Sequence, residues 1–278
     1  FVRKDFLKEA GLDPEKLPGN WTEFRQAAIK MTKRTDDTWE RAGFHANTGF
    51  ACFQNLLQLL WQNGGSILNE AMDKVAFNSP EGVEALTLWT DMIRKDKVGP
   101  VENMENVGDL DPFTAGTRAM YFGGYWTMTN VRDYAPDVLP NVGVAIMTQK
   151  QKASLWYANT YFITKSDHIE ASWKLLSFLV LNDDNFLKYH EAMGGLPPRK
   201  SIVQKASHIT PNHLILIEDV MDAPGSHTTP PVQFTLELLQ RLDEAIEKAI
   251  RGEATPQEAL DKAADEGNQI IERYKSGA

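Results

Sequence analysis

The sequence is poor in cysteine, in long apolar runs and in basic residues, and each shortage excludes a class of protein. The single cysteine, Cys52, can form no internal disulfide and cannot supply a multi-cysteine structural zinc site. The longest apolar run, Leu175–Leu181, is far shorter than the roughly 20 residues of a membrane-spanning helix. Lysine and arginine total 29 against 38 acidic residues, so the net charge of −9 argues against a nucleic-acid partner.

The remaining composition is that of a globular protein. The 278 residues are 42% hydrophobic, 24% charged and 10% aromatic, which excludes a disordered or fibrous chain. The chain begins Phe1-Val2-Arg3-Lys4, with neither an initiator methionine nor a signal sequence. We therefore interpret it as a truncated or processed chain.

Four segments carry the start signals of amphipathic helices. Asn20 is a candidate N-cap, and Ser79 precedes a proline in a first helical turn. Thr255 to Glu258 form a capping box. Apolar spacing then predicts helices over 20–31, from 79 onward, over 166–181 and over 255–274. In the third of these, Ser166 or Asp167 caps the helix and the inward residues are Ala171, Leu175, Phe178 and Leu179.

Three short runs are typical of strands. They are Ala119–Phe122, Val142–Met147 and Tyr157–Thr164, each rich in valine, isoleucine, phenylalanine or tyrosine. Strands that alternate with helices predict an α/β protein. Two stretches rich in proline and glycine, Gly194–Pro198 and Ala223–Pro231, are predicted to be crossovers or linkers.

The common enzyme signatures are absent from the sequence. It has no dinucleotide-binding glycine fingerprint, no phosphate-binding loop, no H-E-x-x-H and no G-x-S-x-G. The six histidines are dispersed, and His208 and His213 would lie on different faces of a helix, so no metal site is expected. Acidic pairs such as Asp109/Asp111 and Asp183/Asp184 are interpreted as solvated turn residues rather than glycosidase carboxylates.

Aromatic residues beside glycines are the unusual feature. Gly123-Gly124-Tyr125-Trp126 follows directly after a predicted strand, where open α/β folds bind ligands. Trp156, Tyr157 and Asn159 add two rings and an amide before the next strand. A sugar presents an apolar C–H face and a rim of hydroxyls, so aromatic faces beside amides suit it. Core packing of the tryptophan is the competing interpretation.

The order of motifs resembles the extracellular solute-binding proteins of sugar ABC importers, the group that includes maltose-binding protein. The matching segments, in the order of that family, are Phe1–Phe6 with Ala10–Pro14, Asn20–Phe24, Trp61–Gly65, Phe77–Gly82, Phe113–Met120 with Gly124-x-Trp126, Gly194–Arg199 and Thr255–Leu260. The likeness covers nearly the whole chain.

The resemblance implies an α/β, periplasmic-binding-protein-like (type II) two-lobe fold, truncated here to the carboxy-terminal lobe plus a segment of the other lobe. By analogy, residues 1–157 form the main part of the carboxy-terminal lobe, 158–222 return to the amino-terminal lobe, and 223–278 add helices to the first. Roughly the first hundred residues of the family are missing. The strand near Tyr161 and the helix over 166–181 should therefore expose an apolar patch.

The resemblance also implies site residues. Trp126 matches the ring-stacking tryptophan of the family and is accompanied by Gly124 and Tyr125. Gly195 and Leu196 match the loop that approaches ligand from the other lobe. Three further candidates are Asn159 at the returning crossover, Phe50 in a stretch where relatives often place an aromatic, and Arg199 as the one candidate for binding a phosphate. For Phe50 and Trp61 core packing is the favoured role, and Arg199 could equally pair with a backbone carbonyl or a carboxylate.

The implied function is to bind a sugar or polyol between two lobes and to deliver it to an ABC permease, with no bond made or broken. Neither a cofactor nor a metal is expected. We expect the protein to be a monomer, and to be either periplasmic or an extracytoplasmic lipoprotein. One alternative is a carbohydrate-active enzyme with paired carboxylates. Another is a binding protein for a phosphorylated polyol or a peptide.

Overall fold

Helices carry most of the regular structure. The computed structural model describes residues 1–36, 38–157, 160–206, 212, 215 and 226–277. In chain order the elements are β1 (Val2–Arg3), α1 (Lys4–Glu9), α2 (Trp21–Met31), β2 (Lys33–Thr35), β3 (Thr38–Arg41), α3 (Phe53–Gln62), α4 (Pro80–Arg94), α5 (Trp126–Tyr134), a 3-10 helix (Pro136–Asn141), β4 (Val142–Gly143), β5 (Ser154–Leu155), α6 (Ile169–Val180), α7 (Asp183–Met193), α8 (Lys200–Val203), β6 (Ser226–His227), α9 (Thr235–Arg251) and α10 (Pro256–Ser276).

Most of the predicted caps are present. The Asn20 side chain accepts the N–H of Glu23 at 2.9 Å, and Thr255 and Glu258 form the reciprocal capping box of α10. The prediction for α6 is wrong by a few residues. Ser166 Oγ accepts the N–H of His168 at 3.2 Å in a local turn, so the helix begins only at Ile169.

The strands are shorter than the sequence predicts. β1 pairs with β4, β2 with β3, and β5 with β6, each in a two-stranded sheet. Within the predicted strand Ala119–Phe122 only Met120 forms a bridge, next to one at the preceding Arg118. The predicted strand Val142–Met147 is a strand only at its first two residues. Residues 160–164 of the third prediction have no strand partner in the part of the chain that the structure describes. A strand persists only where a neighbour accepts its hydrogen bonds.

The core is built by residues far apart in the sequence. α9 packs along α10, and both helices pack against α4, while α9 also contacts α3. Buried side chains of these four helices include Leu57 and Leu60, Leu86 and Trp89, Leu242 and Ile246, and Leu260 and Ala263. One continuous apolar cluster extends from Val2 to Ala153 and from Phe234 to Ile271.

The segment 160–206 contributes little to that cluster. Every residue predicted to face inward on α6, Leu175 and Phe178 among them, is exposed, because no other element of the described structure covers this face. The prediction of an inward face is therefore wrong for this helix, and the expected apolar patch is confirmed. Its larger members are Tyr161, Phe162, Ile169, Trp173, Leu175, Phe178, Leu179 and Leu181. None of the described helices has the length and low charge to cross a membrane.

Two short parallel strands join this segment to the main body. Ser154 pairs with Ser226 and Leu155 with His227, and the N–H of Trp156 donates to the His227 carbonyl at 2.8 Å. The His227 ring stacks on Trp61 of α3, with ring centroids 4.8 Å apart. The two strands therefore lie close to the predicted lobe boundaries, which follow residues 157 and 222. The division into lobes itself stays a prediction.

A buried carboxylate fixes the start of α3. Asp243 of α9 accepts the backbone N–H groups of Ala51 and Phe53 at 2.9 and 2.6 Å, and the thiol of Cys52 donates to it at 3.1 Å. Burial raises the pKa of Asp243, and the donated N–H groups oppose that shift. α9 therefore holds a helix terminus that lies about 190 residues earlier in the chain.

We expect Asp243→Ala to lower the free energy of unfolding by about 2–3 kcal/mol, because the buried N–H of Phe53 and the partly buried N–H of Ala51 lose their acceptor. Urea denaturation measures this loss. Glu247→Ala is the matched control on α9: its partner Arg251 is exposed, so the change should stay within about 0.5 kcal/mol. Equal effects of the two substitutions would contradict the role assigned to Asp243.

Candidate functional site

Trp126 lies at the surface with its indole against a glycine. It is the first residue of α5 rather than the end of a strand, and its side chain is 51% exposed. A Cβ on Gly124 would lie 2.1 Å from Trp126 Cζ3, so only glycine leaves room for the ring in this position. The competing interpretation, a tryptophan packed in the core, is therefore wrong for Trp126.

Tyr125 extends the aromatic surface beside Trp126. The two rings meet edge to face, with centroids 5.6 Å apart and an interplanar angle of 72°. Behind them the hydroxyls of Tyr121 and Thr127 are hydrogen-bonded to each other. The start of α5 therefore presents two partly exposed rings on a hydrogen-bonded base.

The glycine loop after α7 lies directly against α5. Gly194 ends α7 in the left-handed conformation, with φ of 63°, and a Cβ there would lie 1.6 Å from Thr129 Oγ1. A Cβ on Gly195 would lie 3.5 Å from Tyr125 Cε2. Thr129 Oγ1 donates to the Met193 carbonyl at 3.3 Å. The structure thus brings together Tyr125 and Gly195, which by the family resemblance are expected to approach one ligand from two sides.

Two tyrosines that the sequence does not single out lie beside this surface. The hydroxyl of Tyr161 donates to that of Tyr189 at 2.8 Å. This hydrogen bond, burial and the neighbouring Tyr189 and Tyr125 raise the pKa of Tyr161 to about 12. The sequence predicts Tyr161 only as a strand residue, and nothing in the local sequence indicates that Tyr189 of α7 would reach it.

The other predicted site residues differ in how far they are buried. Asn159 lies outside the described residues. Core packing is correct for Trp61, which is 4% exposed, and wrong for Phe50, which is 95% exposed. Phe50 projects because Gly49 and Ala51 on either side have positive φ angles of 91° and 64°, which turn the chain outward. Leu196 is half-buried in the glycine loop.

Arg199 is engaged within its own segment. Its guanidinium donates to Asp183 Oδ1 at 2.8 Å and to the Val180 carbonyl at 3.1 Å, and it lies over the Phe186 ring at 4.6 Å from the centroid. These contacts support the pairing role rather than the phosphate-binding one. Arg132 of α5 is similarly engaged, with Asp133 and with the Glu191 carbonyl.

The prediction of turn residues is correct for Asp109 and Asp111, which lie in and beside a turn, and wrong for Asp183 and Asp184, which are the first two residues of α7. Asp111 accepts the N–H of Phe113 at 3.0 Å, and Asp183 is bonded to Arg199. In the described ranges no three histidine, cysteine or acidic side chains come close enough together to bind a metal ion. The surface around Trp126 can therefore stack an apolar face and exchange hydrogen bonds with hydroxyls.

We expect Gly194→Ala to loosen the contact between α7 and α5, because the new methyl group collides with Thr129 and the backbone is strained. Hydrogen exchange at the last amides of α7 should accelerate about 10-fold or more. Gly11→Ala is the control, since Gly11 has a similar φ of 71° but no neighbouring atom within 4 Å of the place its Cβ would take. Unchanged exchange in Gly194→Ala would show that the close approach does not hold α7.

Similar proteins combine this fold with solute binding. The chain is 26% identical over 301 residues to the sn-glycerol-3-phosphate-binding periplasmic protein UgpB of Escherichia coli strain K12, covering 99% of this chain and 65% of that protein. The chain thus spans about 65% of the length of the curated relatives it matches.

Solved structures show the same fold. A solute-binding protein of an ABC transporter from Thermotoga lettingae, bound with α-D-tagatose, superposes with a TM-score of 0.83 at 25% identity, over 97% of this chain and 69% of that one. An ABC substrate-binding protein from Listeria monocytogenes in complex with cycloalternan has a TM-score of 0.80 at 27% identity, over 97% and 68%. These matches confirm the predicted α/β, periplasmic-binding-protein-like fold class in a chain shorter than its relatives. The family model described as bacterial extracellular solute-binding protein matches residues 1–214, and the chain belongs to that family.

Proposed function

We propose that this chain is part of a protein that captures a sugar or related polyol and delivers it to an ABC permease. The observation that carries the proposal is the half-exposed indole of Trp126, seated on Gly124 beside the loop of Gly195. Stacking of the ring on a sugar C–H face would remove apolar surface from water, and the neighbouring hydroxyls would pair with its rim.

The arrangement of the chain supports capture between two bodies. Residues 1–157 and 223–278 would form one lobe, and 158–222 would belong to the other. The parallel strands β5 and β6 would then connect the lobes, and the contact of α5 with the end of α7 would lie across the cleft. Such a division would allow hinge closure around a ligand.

A neutral polyol is favoured over a phosphorylated one. The relatives named UgpB bind sn-glycerol-3-phosphate, so this class of ligand is the second candidate. A phosphate needs positive donors, and the two arginines near the glycine loop, Arg132 and Arg199, already have carboxylate partners. Tyrosine hydroxyls and aromatic faces suit an uncharged sugar better.

We also propose that the protein performs no turnover. One member of each acidic pair considered for catalysis, Asp111 and Asp183, has a structural partner, and the family consists of solute-binding proteins. Family membership supports a periplasmic or extracellular location. We propose that the protein is either free in the periplasm or an extracytoplasmic lipoprotein, and that it acts as a monomer. Incubation with nitrophenyl glycosides tests this proposal, and we expect no release of nitrophenol.

Titration calorimetry of the gene's complete polypeptide with neutral sugars and with polyol phosphates tests the ligand class. We expect a sugar to bind and Trp126→Ala to raise its Kd about 10-fold or more, because the stacking surface is lost. Trp39→Ala is the control, since this indole packs under Arg34 on the β2–β3 hairpin. A sugar that binds wild type and Trp126→Ala equally would overturn the site, and preference for a polyol phosphate would favour the second candidate.

A further inference from the structure

Tyr161 and Tyr189 form a hydrogen-bonded pair of hydroxyls beside the glycine loop, which Tyr189 reaches through the neighbouring ring of His190. We infer that this pair selects among solutes by the orientation of a ligand hydroxyl. The inference deepens the proposed function and rests on it, because it concerns the same solute bound against Trp126.

The hydrogen bond within the pair leaves it complementary to an alcohol. The Tyr161 hydroxyl donates a hydrogen bond to the Tyr189 hydroxyl at 2.8 Å. The hydrogen of the Tyr189 hydroxyl and the lone pairs of the Tyr161 oxygen therefore stay available to a ligand. A sugar hydroxyl is likewise one donor and one acceptor, and it can therefore accept from Tyr189 while it donates to Tyr161. An amine cation or a phosphate would match only one of these two functions.

The position of the pair connects it to the stacking surface. A Cβ on Gly195 would lie 3.5 Å from Tyr125 Cε2 and 3.0 Å from His190 Nδ1, and the Tyr125 ring meets Trp126 edge to face. The Tyr189 ring in turn packs edge to face on His190, at 5.3 Å between centroids, and His190 lies against Gly195. The hydroxyl pair therefore continues the wall that begins at Trp126 and passes the glycine loop.

Exposure leaves the pair accessible to a ligand. The side chains of Tyr161 and Tyr189 are 50% and 36% exposed, although each ring already has an aromatic or hydroxyl neighbour. Tyrosine has few rotatable bonds, so ordering these rings costs little entropy when a ligand binds. A ligand whose hydroxyl points away would cover the pair without bonding to it, and that loss would discriminate between epimers.

The experiment compares Tyr161→Phe, Tyr189→Phe and the double variant with wild type in the gene's complete polypeptide. Titration calorimetry uses a panel of hexoses that differ at one stereocentre. Each single variant should raise the Kd of the preferred hexose about 5–20-fold and reduce its advantage over the epimers. The double variant should bind within about 2-fold of the weaker single variant, because the two hydroxyls act as one unit.

Tyr134→Phe is the matched control. Tyr134 is an exposed tyrosine at the far end of α5 from Trp126, and loss of its hydroxyl should change neither affinity nor selectivity. Thermal unfolding of all variants checks that the fold is retained. The inference is overturned if both single variants keep an affinity and an epimer selectivity within about 2-fold of wild type.

The two proposals fail in different ways. If wild type binds a hexose and Trp126→Ala weakens it while both phenylalanine variants behave as wild type, the proposed function stands and the hydroxyl pair has no selective role. If wild type binds no hexose in the panel, this inference is overturned, and the titration with other neutral sugars and with polyol phosphates decides the proposed function separately.

Discussion

The packing of the two last helices on α3 and α4 is the constraint on which the rest depends. α9 and α10 supply one side of the core, and α9 also supplies Asp243, which holds the N-terminal amides of α3. Burial of apolar side chains drives this packing, but the buried carboxylate decides where α3 begins. The loop that displays Phe50 is held at the same point through the Ala51 N–H.

Glycine residues, which have no side chain, shape the candidate site as much as the aromatic rings do. Gly124 lets the indole of Trp126 lie against the backbone, and Gly194 lets α7 approach Thr129. A methyl group at either position would overlap a neighbouring atom, so both approaches require glycine. The result is a surface in which rings from α5 meet a loop from another part of the chain.

Local signals predict local structure well. The caps at Asn20 and Thr255 are correct because a cap is formed by residues three positions apart. The predicted strands are too long because a strand depends on a partner that is often distant in sequence. The inward face predicted for α6 fails for the same reason: apolar spacing indicates which face could be buried but not whether another element covers it.

The sequence alone determined the class of fold and most helix starts, since these follow from spacing, capping and the order of motifs, and it predicted Trp126 as a site residue. Only the tertiary structure decided that Arg199 is engaged with Asp183, that Phe50 projects while Trp61 is buried, and that Tyr161 meets Tyr189. Each of these facts depends on which residues, distant in the sequence, come within a few ångströms of each other in the fold. Chain folding sets such contacts, and residue spacing along the sequence carries no record of them.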